Sequence, residues 1–132
     1  MALHARAGIA AAAIFCGLLN GGTARAEPGA DFYASHPITL VSSFAAGGFN
    51  DLAGRLAARH FGRFVPGTPG IIVKNMPGAG GLTAANHLYN ISAKDGLATG
   101  MIQNSAVFDP LYGNDKSLFD GSKFNWLGSP GK

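Results

Sequence analysis

The chain has 132 residues, enough for one domain of modest size and too few for two. Hydrophobic residues make up 47% and charged residues only 13%, which excludes a disordered or strongly solvated polypeptide. Glycine is abundant at 20 residues, and the formal charge of +3 hints at an acidic partner until its distribution is considered.

Residues 1–26 read as a secretory signal peptide. Arg6 supplies the positive n-region, Ala7 to Leu19 the apolar h-region, and Ala24-Arg25-Ala26 the A-x-A cleavage site. The apolar run is shorter than the ~20 residues that span a bilayer. A buried N-terminal helix fits poorly, because the run is Ala-rich on every face. Cleavage after Ala26 takes Arg6 and Arg25 from the ten basic residues and leaves all seven acidic ones, so the span 27–132 carries about +1. No basic stripe is interleaved with aromatics, and nucleic acid is not an expected partner. The single cysteine, Cys16, falls in the h-region behind Phe15, where a lipoprotein signal wants a small residue. The mature span then has no thiol, disulfide or cysteine metal site, which points to the periplasm.

Residues 27–37 read as a leader with little structure, ending at His36-Pro37. The apolar, partly β-branched run "ITLVSSF" (38–44) predicts a buried strand. A helix from Asp51 to Phe64 follows, with Asn50 or Asp51 as its N-cap. Leu52, Leu56 and Phe64, with Ala53, Ala57 and Phe61, make one broad apolar face of it. Arg55, Arg59 and Arg63 recur every four residues on another, either a solvated face or an anion site. After the turn "VPGTPG" come a second strand, "IIVKNMP" (71–77), a second helix, "LTAANHLYNI" (82–91), and a third, weaker strand, "LATGMIQ" (97–103). "NSAVFDPLYGND" (104–115) reads as loop with one helical turn at most, and "FNWLGS" (124–129) as the start of a fourth strand.

This alternation predicts an α/β fold with a mostly parallel sheet and helices on both faces. Ligands bind such sheets at the carboxyl edge of the strands. Two glycine-rich loops, "FAAGG" (44–48) and "GAGG" (78–81), fall there, each between a strand and a helix. A helix N-terminus offers unpaired N–H groups and partial positive charge, and small residues let an anion reach them. Each loop is therefore either an anion cradle or only a tight turn. Neither is a phosphate-binding P-loop, since no Gly-Lys-Ser/Thr follows, and neither contains G-x-G-x-x-G.

The segments "HPITLVSSFAAGGFNDLAGRLA", "IIVKNMPGAGG", "KDG" and "FNWLGS", in that order, resemble the Bug family of extracytoplasmic solute receptors. These are related to the substrate-binding component of tripartite tricarboxylate transporters, and the resemblance covers residues 33–132. It implies part of the first lobe of a type II periplasmic binding protein fold, whose two lobes close over a small organic carboxylate. It also implies a grip made largely by backbone amides and ordered water, without an arginine clamp. Carried over, Phe44, Ala45, Ala46, Gly47 and Gly48 form the first ligand loop. Asp51 either caps the helix or receives a ligand amine, and Asn104 and Ser105 donate from the end of the third strand. Gly78 to Gly81 match the second loop, in a turn role. Ser43 and Met76 depart from the family, which usually has proline and arginine there.

The resemblance further implies membrane subunits as partners, a monomer when the receptor is complete, and no cofactor. Family members are more than twice this length, so 27–132 is expected to be an incomplete first lobe. A fragment that binds nothing tightly is the alternative. An enzyme is not expected: there is no G-x-S-x-G elbow, no convincing carboxylate pair and no H-E-x-x-H cluster, and His60 and His87 fall within the predicted helices.

Overall fold

A computed structural model describes residues 29–129; the segment read as a signal peptide lies outside the described residues. Within them, three strands form one parallel sheet: β1 (Ile38–Ser42), β2 (Ile71–Asn75) and β3 (Ala98–Met101), in the order β2-β1-β3. β1 is central because it is apolar and hydrogen-bonded on both sides, with Ile38, Leu40 and Val41 all buried. Its register runs Ile38 against Ile71 on one side and Thr39 against Ala98 on the other.

A short helix, α1 (Ala30–Ser35), precedes β1; α2 (Phe49–Phe61) joins β1 to β2, and α3 (Leu82–Asn90) joins β2 to β3. Successive strand residues face opposite sides, and each side has its helix. Val41 packs with Ala84 and Leu88 of α3. A Cβ on Gly54 of α2 would lie 3.0 Å from Met101 Sδ, so α2 covers the opposite face. The expected α/β architecture with helices on both faces is therefore present.

Four local expectations are corrected. The leader is not structureless, because α1 settles against two turns: a side chain on Gly67 would overlap Ala30 and Ala34, and one on Gly96 would crowd the Tyr33 hydroxyl. Residues 104–112 form a 3₁₀ helix, Asn104–Tyr112, closed by Gly113 at φ 73°. Residues 124–129 form no strand; Trp126 Nε1 instead donates to the Gly121 carbonyl at 2.9 Å, and the Phe124 ring packs against Tyr89 and Phe119. The fourth correction concerns α2. Leu52 and Leu56 are about 60% exposed and Phe64 more so, while Asp51, Gly54 and Gly62 are buried.

Among the described residues the core includes two small clusters besides Ile38 and Leu40 of β1. Leu82, Ala85, Ala106 and Phe119 make one, Val41, Ala84 and Leu88 the other, and Ile102 and Phe124 pack against both. This core fixes α3 on the sheet and, through Ala106, anchors the 3₁₀ helix that follows β3.

Candidate functional site

The carboxyl end of β1 leads into Phe44-Ala45-Ala46-Gly47-Gly48, then directly into α2. Ala45 to Gly48 are exposed. Gly47 adopts φ 84°, a left-handed conformation that glycine enters without a Cβ penalty. Gly48 is the N-cap in extended backbone, with no side chain to occupy the first turn. The N–H groups of Gly48, Phe49 and Asn50 therefore have no intrahelical acceptor. Ala45 and Ala46 also carry amides without an acceptor among the described residues. From Ala45 to Gly48 the loop carries no side chain larger than alanine, and the helix dipole adds partial positive charge at this end of α2.

Asp51 holds this loop in shape. It is the third residue of α2, not its N-cap. Its Oδ2 accepts the Gly47 N–H at 2.8 Å and Arg55 Nε at 2.9 Å, and its Oδ1 accepts Asn75 Nδ2 at 2.7 Å. The side chain is only 2% exposed. The hydrogen bonds from Arg55, Asn75 and Gly47 hold its carboxyl down to about 2, from an ordinary 3.8. The cap role read for Asp51 is thus corrected, since Gly48 is the N-cap. Its oxygens are turned inward and bonded within the fold, and it acts by positioning the loop.

Asn75, at the end of β2, is the hub that sequence reasoning missed. Its Nδ2 donates to the Phe44 carbonyl at 2.9 Å as well as to Asp51, and its Oδ1 accepts Arg55 Nη2 at 2.8 Å. The available signal was its place in "IIVKN": it shares a strand face with Ile71 and Val73, which look toward α2.

Asn104 and Ser105 open the 3₁₀ helix that starts three residues beyond the end of β3, on the same sheet edge as the first loop. The two loops are tied by Ser43, which is 6% exposed. Its N–H donates to the Met101 carbonyl at 3.0 Å, and its hydroxyl accepts the Gln103 N–H at 2.9 Å. A proline at this position could make neither bond. Gln103 Nε2 donates to the Ser105 hydroxyl at 3.1 Å, so that hydroxyl is partly engaged; the Asn104 side chain is exposed. Gly78 to Gly81 all have positive φ. A Cβ on Gly81 would sit 3.2 Å from the side chains of both Gln103 and Ala106. This loop lets α3 begin close against the chain after β3, which fits a turn role.

These features define an α/β lobe with an exposed, small-residue loop at the carboxyl end of a parallel strand, consistent with part of a periplasmic-binding-protein lobe. The chain is similar to the "UPF0065 protein in gbd 5′ region" of Cupriavidus necator, at 38% identity over 122 residues; the alignment takes in 92% of this chain and 33% of that protein. UPF0065 is the Bug family, and the similarity supports that family for this chain. The chain spans about a third of the length of the relative it matches. No family model matches, and no solved structure does.

Proposed function

We propose that the chain contributes one half of a Bug-type solute receptor's cleft and holds a small organic carboxylate on the amides of Ala45, Ala46, Gly48, Phe49 and Asn50. The observation that carries this reading is the unpaired N–H set of that loop, fixed by the Asp51–Asn75–Arg55 cluster. A carboxylate matches such donors in charge and size, and preformed donors lose little entropy on binding. Asn104 and Ser105 lie on the same edge and supply further polar groups. The role is binding, not turnover, and the ligand serves uptake or sensing through membrane subunits. The sequence features of residues 1–26 support export to the periplasm, so mass spectrometry of the exported chain is expected to find Glu27 as its first residue.

Calorimetry with citrate, glutamate and nicotinate tests the binding reading. Micromolar affinity for one of them, lost in Gly48→Val, is the expected result. A second reading, a fragment that grips no acid tightly, is favoured by the exposure of residues 45–48, which nothing among the described residues covers. Absence of heat at millimolar acid would select it.

A further inference from the structure

A second surface lies on the far side of α2. β2 is an edge strand, with β1 as its one neighbour among the described residues. Ile38 N–H donates to the Gly70 carbonyl at 2.9 Å and Met76 N–H to the Ser42 carbonyl at 2.7 Å. In a parallel ladder the inward groups alternate along the strand. Ile72 and Lys74 therefore turn their backbone groups to β1, and Ile71 and Val73 turn theirs outward, unpaired. Along this open edge runs a groove of about 610 Å³, lined among others by Arg55, Arg59, Arg63, Ile71 and Val73. No acidic side chain lines it.

The three arginines differ. Arg55 is spent on Asp51 and Asn75. Arg59 makes no hydrogen bond or ion pair among the described residues, and Arg63 lies 5.0 Å over the Phe64 ring without an acidic partner. Arg59 stands near the end of α2 and Arg63 in the 3₁₀ turn Gly62–Phe64 that follows it, and both line the same groove.

We propose that the β2 edge with Arg59 and Arg63 is a docking site for an extended acidic peptide segment of another protein. The segment adds beside β2 through the outward groups of Ile71 and Val73, and carboxylates at alternate positions pair with the two arginines. Charge decides the occupant. A second copy of this chain pairing edge to edge would bring arginine rows together, which opposes self-association.

The test is a fluorescence-polarisation titration of the full chain with a labelled peptide, Thr-Val-Glu-Val-Glu-Val-Thr. Saturable binding is expected, weakened at least tenfold by the double substitution Arg59→Ala with Arg63→Ala. A peptide N-methylated at the alternate amides that face β2 is expected to lose at least tenfold as well, with the protein unchanged. Absence of binding overturns the proposal. So does equal binding of the methylated peptide, which would indicate charge adhesion without strand addition. Insensitivity to the arginine substitutions overturns it equally. Both arginines are exposed and make no ion pair, so their replacement leaves the fold intact, which circular dichroism of the variant checks.

Discussion

Asp51 gathers donors from a loop, a helix and a strand, and its low pKa has a consequence for stability. A carboxyl held at about 2 in the fold and near 3.8 when unfolded contributes stability above pH 3.8. That contribution fades as pH falls from about 4 toward 2. Acid unfolding of the parent chain is expected to include this step, and Asp51→Asn is expected to lower the melting temperature at pH 7 while flattening the loss below pH 4. Equal melting of parent and variant at pH 7 would rule the network out as a stabilising unit. Ser43→Ala makes a separate prediction. It leaves the part-buried Gln103 N–H without its acceptor and should cost about 1 kcal/mol in denaturant unfolding. The importance of residue 51 was legible from its place in the first turn of a helix behind two glycines. Its partner Asn75 was legible only as a residue on the α2 face of its strand; the bond itself spans 24 positions and leaves no local pattern.

At the scale of elements, the alternation of strands and helices was readable because β1 to β3 and α2, α3 each carry their own periodicity and turn residues. The facing of α2 was not. Hydropathy singles out Leu52 and Leu56, yet the helix meets the sheet through Asp51, Gly54 and Gly62. Two of these are glycines, which add little to an apolar stripe but allow close approach. Asp51 enters the interior only because its charge is fully bonded. A Cβ on Gly62 would overlap the Pro69 carbonyl oxygen. Gly62→Ala is therefore expected to destabilise by about 1–3 kcal/mol. Leu56→Ser, on the exposed side, should shift stability by less than about 0.5 kcal/mol. Urea midpoints of the two variants decide between the two facings. If Leu56→Ser proves the costlier, the helix is turned the other way.

For the whole molecule, the imbalance is between a small core and a large exposed apolar surface. Of the nine buried hydrophobic residues among the described ones, three are alanines, which contribute little apolar area each. Meanwhile Phe49, Leu52, Leu56 and Phe64 lie open along α2 and the 3₁₀ turn Gly62–Phe64 that follows it, and Leu111, Tyr112 and Leu127 are open farther along the chain. Apolar exposure on this scale marks surface that other chain covers, or a liability to aggregate. The fold of each unit follows from local periodicity, but stability depends on how much apolar area is buried against the ordering entropy of the backbone. The 132-residue chain is therefore expected to be marginally stable, with a low and broad thermal transition and strong binding of a hydrophobic dye before it melts. Differential scanning calorimetry alongside dye fluorescence measures both. A sharp cooperative melt well above room temperature, without dye binding, would mean that the exposed face of α2 is satisfied in solution. Dilution would then show by what means: a transition that falls with concentration indicates self-association, and one that does not indicates burial within a single chain.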